Sequence, residues 1–297
     1  MWSNRLNWIL GTLLCCYITL PAIANPKKEK LLISGCGWKE IAIIDKASGD
    51  KEWSHPLLPT DDCNDVEITS QGNILYAYRG GARLITREHQ TLWDYKVKPK
   101  EELYTATQLK SGNYMLAMCG NPARLLLLDK AGKLLKEQSF DSNIKGIHSQ
   151  FRQIAKTAQD TYLIPLMGKG CVLELDNELR VIKSIPTGGN PFSVKVLDNG
   201  NWLVSCGDAH KLVEVDPTKE QVVKTISSDD IADAKLLFVA EAIRSSDGNT
   251  MIANWNGHSK DKSQPLLLEV NSSNQLVWSL PLRKDIKNIS SVYRFYE

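Results

Sequence analysis

Three histidines and one arginine are the side chains of this sequence best suited to acid–base chemistry. His148 precedes a predicted strand, while His210 and His258 lie in predicted loops. A histidine titrates near neutral pH, so each could act as a general base or ligate a metal, although a lone histidine is more often structural. Arg79 could bind a carboxylate through two parallel hydrogen bonds. No catalytic or metal-binding motif accompanies these residues, so we predict no metal site and no cofactor.

Aromatic and amide residues in the same class of loop indicate a ligand with rings or hydroxyl groups. Loop residues with suitable side chains are Trp38, Asn121, Asp208 and Trp255. The longest loop spans residues 254–262 and combines tryptophan, asparagine, glycine and histidine. An indole face stacks on a sugar or aromatic ring while amides bind hydroxyl groups. The alternative is a solvated loop whose Trp255 packs between neighbouring sheets.

A second set of polar residues recurs at one position of the predicted first strands. Its members are Asp65, Thr105, Gln153, Ser193 and Glu241. The residue after each is apolar, and successive side chains of a strand point to opposite faces. We therefore predict that the apolar set packs between sheets and that the polar set lines a funnel near the loops. The alternative is that the polar groups bond only to neighbouring backbone or to water.

The elements that position these residues follow from a repeated Gly-Asn pair. The pair occurs at residues 72–73, 112–113, 200–201 and 248–249, and Asp160 begins the equivalent pair between them. An extended segment precedes each pair and an apolar segment follows it, which is the pattern of a β-hairpin. A second turn follows in each unit and usually begins with Asp or Asn, whose side chains favour turns.

Six such units predict an all-β fold, a six-bladed β-propeller of four-stranded antiparallel blades, because their period of about 45 residues is typical of propeller blades. The N-terminal unit, residues 31–55, has only three strands, and residues 289–295 resemble the first strand of other units. The C-terminal strand should therefore join the N-terminal blade and close the ring, which removes an exposed sheet edge. We expect residues 25–297 to form a single domain. The one predicted helix is short, around residues 228–235.

Residues 41–53 resemble the repeat of the PQQ-like, or quinoprotein-dehydrogenase-like, β-propellers. That repeat contains Asp, then Gly-Lys, then Trp, and here Asp45, Gly49, Lys51 and Trp53 follow the same order. The resemblance covers the mature chain as weak repeats and implies a non-enzymatic or divergent six-bladed member of that family. True quinoprotein dehydrogenases are longer and have an adjacent-cysteine disulfide beside a calcium site. The mature chain has no Cys-Cys pair, so the resemblance carries over neither PQQ nor calcium.

The N-terminus indicates export. Residues 1–24 combine one basic residue, an apolar run over residues 8–20 and a small-x-small triplet at 22–24, which is the pattern of a secretory signal peptide. An uncleaved anchor would need a longer apolar run, and lipid attachment at Cys15 or Cys16 would need a small residue before the cysteine. We expect a periplasmic or extracellular protein that has no membrane span after cleavage and is a monomer.

Composition argues against nucleic-acid binding and does not determine the redox state of the cysteines. The chain has 36 Lys and Arg against 34 Asp and Glu, a net charge of +2. Nucleic-acid binding would require a basic excess that this balance lacks. The cysteines beyond the signal peptide are Cys36, Cys63, Cys119, Cys171 and Cys206. An odd number leaves at least one free thiol or an intermolecular bond, and a buried free cysteine acts as a small hydrophobe.

Two functions from different classes remain. The first is an exported binding or scaffolding propeller for a small molecule, an oligosaccharide or a protein partner, with carbohydrate as a candidate ligand. The second is a carbohydrate-active enzyme, a uronate polysaccharide lyase or a glycosidase, in which Arg79 neutralises a carboxylate and a histidine moves a proton. Convergence of Arg79, a histidine and an acid in one pocket would favour the enzyme, whereas dispersal around a wide funnel would favour binding.

Overall fold

The computed structural model describes residues 27–297, so the predicted signal peptide at residues 1–24 lies outside the described residues. The described chain forms six four-stranded antiparallel sheets, which are the blades of a propeller. This confirms the predicted fold class. Among the described residues, no helix has the length and apolar composition that crossing a membrane requires.

Each blade follows chain order, and the C-terminal strand completes the first blade. The strands are β1 Glu29–Ser34, β2 Glu40–Asp45, β3 Lys51–Pro56, β4 Cys63–Ile68, β5 Ile74–Tyr78, β6 Gly81–Ile85, β7 Thr91–Lys96, β8 Glu102–Gln108, β9 Tyr114–Cys119, β10 Ala123–Leu128, β11 Leu134–Phe140, β12 Ala155–Lys156, β13 Tyr162–Leu166, β14 Cys171–Leu175, β15 Val181–Pro186, β16 Ser193–Val196, β17 Trp202–Ser205, β18 Lys211–Asp216, β19 Gln221–Ser227, β20 Val239–Arg244, β21 Thr250–Asn254, β22 Leu267–Val270, β23 Leu276–Leu280 and β24 Ser291–Tyr296. Blade one has the order β24-β1-β2-β3, and each later blade uses four consecutive strands. β24 pairs antiparallel with β1 from Tyr296 opposite Glu29 to Ser291 opposite Ser34, which closes the ring as predicted.

The repeated Gly-Asn pairs are explained by turn geometry. The glycine φ angles are 81° at Gly72, 83° at Gly112, 83° at Gly200 and 86° at Gly248. Asp160, which replaces glycine in blade four, has a φ of 65°. Glycine adopts this left-handed conformation without steric cost, and Asp is among the few other residues that tolerate it. The acids of the second turns act as predicted: Asp129, for example, accepts the backbone N–H groups of Ala131 and Lys133 at 2.9 and 2.8 Å.

The core lies between adjacent blades, because both faces of the inner strands are buried. Along β5, Ile74, Tyr76 and Tyr78 pack with blade one, while Leu75 and Ala77 pack with blade three. This alternation follows from the two-residue period of a strand. The blades therefore hold one another in a rigid ring that positions the loops at its two ends.

Tryptophans of the outermost strands connect three of the blades to the blade that follows. The Trp53 indole donates to the carbonyl oxygen of Arg87 at 2.7 Å, and the Trp278 indole donates to that of Lys46 at 3.0 Å. Both acceptors lie in the outer turn of the following blade. Trp93 occupies the same place in blade two and is 9% exposed. These residues have a structural role.

The predicted helix over residues 228–235 is wrong beyond its first turn. Only Ser228–Asp230 forms a 3₁₀ turn, which the Asp230 carboxylate caps by accepting from the Ser227 backbone and hydroxyl. The segment that follows is irregular and buries Ile231 and Leu236 between blades five and six. A helix this short has too few hydrogen bonds to offset its nucleation cost.

Candidate functional site

A cavity of about 290 Å³ opens at the end of the propeller where the loops leading into the first strands meet the loops between the second and third strands. Its volume is at the lower end of the range of ligand sites, which suits a molecule of about monosaccharide size. Residues that line it include Tyr104, His148, Arg152, Phe192, Trp255 and His258. The described residues contain no group of three or more His, Cys, Asp or Glu side chains that could hold a metal.

Irregular first strands turn an additional set of side chains into this cavity. The pairing of β4 with β5 shifts around Asn64, and that of β8 with β9 shifts around Tyr104. Each bulge re-aims the extra residue, so that Asn64 and Tyr104 line the cavity. Arg152, Phe192 and Ser290 hold the equivalent places before β12, β16 and β24 and also line it. These residues could not be predicted from the sequence, because strict strand alternation places them between blades.

Arg152 is the cation of the cavity. It is 4% exposed, and its guanidinium donates to the carbonyl oxygens of Phe151 and His148, both at 2.9 Å, and to His148 Nε2 at 3.1 Å. Its Cζ lies 3.9 Å from the ring centroid of Tyr104 and 5.6 Å from that of Phe192, which are cation–π contacts. It forms no ion pair with any carboxylate among residues 27–297, although buried charges are ordinarily paired.

His148 and Arg79 meet at one acid beside the cavity. Glu102 Oε2 lies 3.1 Å from His148 Nδ1 and accepts from the Tyr104 hydroxyl at 2.6 Å, while Oε1 accepts from Arg79. Burial opposes ionisation, but these hydrogen bonds prevail and hold the pKa of Glu102 below its usual value. Arg79, a histidine and an acid therefore lie within hydrogen-bond reach of one another. However, Arg79 contacts Glu102 outside the cavity lining, and Arg152 is the arginine that lines it.

His258 and Trp255 form the opposite wall. His258 Nδ1 lies 2.9 Å from Asp208 Oδ1, and its ring packs edge-to-face on Trp255 at 4.7 Å and on Phe238 at 5.6 Å between centroids. The Trp255 indole donates to the carbonyl oxygen of Cys36 at 2.9 Å. His258, Asp208 and Trp255, all singled out from the sequence, thus belong to one wall of the cavity.

The polar set of the first strands lies below the cavity as an inner ring, and much of it bonds to backbone. Asp65 accepts from the Ala106 N–H at 3.1 Å, and Glu241 accepts from the Val292 N–H at 2.9 Å. Thr105 Oγ1 likewise accepts from the next blade, at 3.0 Å. These groups pair N–H donors that the innermost strands leave without a sheet partner. The structural alternative therefore accounts for Asp65, Thr105 and Glu241.

Residues of this ring, among them Asp65, Thr105 and Glu241, also line a second cavity together with Lys195. Gln153 donates to Glu241 at 3.1 Å, and Lys195 Nζ lies 2.6 Å from Glu241 Oε1. Burial raises the pKa of Asp65 to about 8, with the nearby Glu241 charge adding to the effect against the opposing Lys195. Burial alone would lower the pKa of Lys195, but the charges of Glu241 and Asp65 hold it above its usual value.

Three other predicted site residues lie outside the cavity lining. Trp38 is 5% exposed and packs in the core between blades six and one. Asn121 lies on an exposed loop, where its side chain donates to the Lys145 carbonyl oxygen at 3.1 Å. The Nδ1 of His210 is hydrogen-bonded to the Leu237 carbonyl oxygen.

The described residues contain five free thiols, four of them buried. Cys36 is the one that lines the cavity, and its Sγ lies 2.9 Å from Asp62 Oδ2. Burial and this hydrogen bond raise the pKa of Cys36 to about 12. A thiol with so high a pKa is a poor nucleophile at neutral pH.

The fold and this cavity define a six-bladed β-propeller with a small ligand-sized site at one end. The family model described as Mal s 1 allergenic protein-like matches residues 29–275, so the chain belongs to that family. The chain is 35% identical to a protein of unknown function from Bacteroides caccae, with a TM-score of 0.87 over 92% of this chain and 100% of that one. The matching family model is not a PQQ-like one, so that resemblance is confirmed at the level of the propeller fold.

More distant propellers show the fold alone. A catalytically inactive His-to-Ala variant of virginiamycin B lyase from Staphylococcus aureus, solved with quinupristin, is 12% identical, with a TM-score of 0.62 over 94% of each chain. A chain of a nidogen/laminin complex is 7% identical, with a TM-score of 0.64 over 90% of this chain and 98% of that one. No curated protein matches this sequence significantly.

Proposed function

We propose that this protein binds a small carboxylate ligand, and specifically a uronate sugar, in the cavity lined by Arg152. The observation that carries the proposal is the guanidinium of Arg152, which has no carboxylate partner in the described part of the chain. Burying a cation without an acid is costly, and a ligand carboxylate would pair with it. The pattern of residues 1–24 supports a site that operates after export, in the periplasm or outside the cell.

The position of Arg152 in the repeat supports the same conclusion. The equivalent residues of the other blades are Asn64, Tyr104, Phe192, Ala240 and Ser290. None of them is charged, so the propeller itself does not require a cation there. Aromatic walls for stacking and nearby amide and hydroxyl groups suit a sugar ring that carries the carboxylate.

The structure supports a different arginine for the enzyme hypothesis and favours a lyase over a glycosidase. Asp65 and Glu241, the two acids of the first-strand polar set, accept backbone hydrogen bonds below the cavity. A glycosidase needs two carboxylates that face the sugar, so these two acids do not support hydrolysis. The lyase form keeps its histidines and replaces Arg79 with Arg152.

Isothermal titration calorimetry on the mature protein tests binding. The probes are trigalacturonate, trimannuronate and a hyaluronan tetrasaccharide, with maltotriose and methyl-esterified trigalacturonate as uncharged controls. We expect one uronate to bind and both controls to fail. Arg152→Met should weaken binding about ten- to a hundredfold, since a charge-assisted hydrogen bond contributes about 1.5–3 kcal/mol.

Arg79→Met is the matched control, because Arg79 pairs with Glu102 outside the cavity lining. It should retain binding. Loss of binding in Arg79→Met with retention in Arg152→Met would overturn the assignment. Failure of every uronate to bind would overturn the proposed ligand class and favour a protein partner, which a pull-down would then seek.

A further inference from the structure

Two histidines of the cavity have their rings held by carboxylates. His258 Nδ1 lies 2.9 Å from Asp208, and His148 Nδ1 lies 3.1 Å from Glu102. An ionised carboxylate only accepts hydrogen bonds, so this network assigns the proton of each neutral ring to Nδ1. The lone pair of each ring is then on Nε2.

The two Nε2 atoms have different surroundings. His148 Nε2 accepts from the Arg152 guanidinium at 3.1 Å, and the His148 carbonyl oxygen accepts from the same nitrogen at 2.9 Å. His148 therefore holds Arg152 in place. Among residues 27–297, His258 makes no hydrogen bond beyond the one to Asp208, and 62% of its side chain is exposed. Its Nε2 is a base available to a molecule in the cavity.

A continuous aromatic wall connects the cation to this base. Arg152 lies over Phe192, Phe192 packs edge-to-face on Phe238 at 5.0 Å, and Phe238 packs on His258 at 5.6 Å. Arg152 and His258 line the same cavity of about 290 Å³, so a ligand whose carboxylate binds Arg152 shares that small volume with His258 Nε2. A carboxylate-orienting cation and a carboxylate-held histidine are the components of proton abstraction next to a carbonyl group.

We propose that the cavity is catalytic and that His258 is the general base of a β-elimination on a uronate bound by Arg152. This inference rests on the proposed function. His258 Nε2 takes the proton from the carbon that bears the carboxylate, and the C–H electron pair becomes a C=C bond to the neighbouring carbon. The C–O bond of the glycosidic oxygen on that carbon breaks, and its electron pair leaves with the oxygen. The imidazolium then returns its proton to that oxygen, so the reaction needs no oxidant, reductant or other co-reactant.

The neighbouring residues have distinct roles in this reaction. Arg152 neutralises the substrate carboxylate and stabilises the negative charge that develops on it. Asp208 fixes the tautomer of His258 and stabilises the imidazolium. His148 and Glu102 are positioning residues that act through Arg152. Asp208→Asn should therefore lower kcat with little change in KM, whereas His148→Gln should raise KM.

Proton NMR in deuterium oxide tests the proposal with whichever of the three uronate probes binds. The wild-type protein should exchange the proton beside the carboxylate and produce a vinylic proton from the unsaturated sugar. His258→Gln should lower both rates about a hundredfold or more, the usual contribution of a general base. Its affinity by calorimetry should change less than about threefold, because Arg152 is intact.

His210→Asn is the matched control, since His210 is a histidine of a neighbouring loop outside the cavity lining. It should retain the wild-type rate. Binding without exchange or elimination in the wild type would overturn the catalytic inference and leave the binding proposal intact. A His258→Gln variant with the wild-type rate would overturn the role of His258. Failure of every probe to bind would overturn the proposed function and this inference with it.

Discussion

Two arginines of this protein are equally buried but differently paired, and their replacement should change the free energy of unfolding by different amounts. Arg152 is 4% exposed and Arg124 is 5% exposed. Arg124 donates to Glu101 through two nitrogens, at 2.7 and 2.5 Å, and to Glu137 at 2.8 Å. Within residues 27–297, Arg152 donates only to carbonyl oxygens and one imidazole. Replacement by methionine keeps most of the side-chain volume and removes the charge in both cases.

The expected magnitudes follow from what each replacement leaves behind. Arg124→Met leaves two acids without their cation, and breaking a buried ion pair costs about 3–5 kcal/mol. Because the Glu137 side chain is 36% exposed and can recover water, we expect a smaller loss of stability than that range, about 2–4 kcal/mol. Arg152→Met removes a costly buried charge together with its cation–π contacts, and its former acceptors border a cavity that water can enter. Its free energy of unfolding should stay within about 1 kcal/mol of the wild type.

Thermal and urea unfolding of the two variants measure the difference. For a domain of this size 1 kcal/mol corresponds to about 2 °C in Tm, so Arg124→Met should lower Tm by about 4–8 °C and Arg152→Met by about 2 °C or less. An Arg152→Met variant as unstable as Arg124→Met would show that the Arg152 guanidinium supports the fold. That result would refute the argument that its charge is retained for a ligand.

Three further measurements test other parts of the structure. With a pKa raised from 3.8 to about 8, folded Asp65 holds a proton that the unfolded chain has lost, so stability should fall as pH rises from about 4 to about 8. Asp65→Asn should reduce the difference in the free energy of unfolding between pH 5 and pH 8.5, measured by urea unfolding. An unchanged difference would contradict the raised pKa of Asp65. Gly132→Ala should cost about 1–3 kcal/mol more than Gly72→Ala in urea unfolding, because both have φ near 80° but a Cβ at Gly132 would lie 2.6 Å from an indole of the preceding blade. Asp62→Asn should accelerate iodoacetamide alkylation of Cys36 at pH 8, because the hydrogen bond to Asp62 contributes to the raised pKa of the thiol; equal rates would contradict that contribution.

The fold could be predicted from the sequence because its constraints recur in every blade. A tight hairpin needs a left-handed residue, so glycine or Asp160 appears at each such turn, and most outer turns begin with an Asx side chain. The closure of the ring could be predicted as well, since the N-terminal unit lacks a strand that residues 289–295 supply. The irregular conformation that replaces the predicted helix after residue 230 could not be predicted, because the apolar residues there are buried by contacts with the next blade that local sequence does not encode.

The loop residues of the candidate site could be predicted from the sequence, whereas the residues at the start of the first strands could not. His148, Asp208, Trp255 and His258 were found because they lie in loops of the correct class. Arg152 could not be predicted because strict alternation with the polar Gln153 places its side chain between blades. The position of a bulge or an irregular first strand depends on how neighbouring blades meet, and a two-residue alternation does not contain that information.

Ligand-facing and ring-forming positions can nevertheless be separated by asking which of them the fold needs. The inner ring is polar in every blade because innermost strands leave backbone N–H groups to be paired, so polarity there reports on the fold. The position before it carries a charge only at Arg152, and nothing among the described residues neutralises that charge. A residue type that recurs in all blades serves a structural need that the blades share. A buried charge at one of six equivalent positions is not required by the blade and indicates a ligand. On this argument Arg152, more than any recurring polar residue, indicates what the propeller binds.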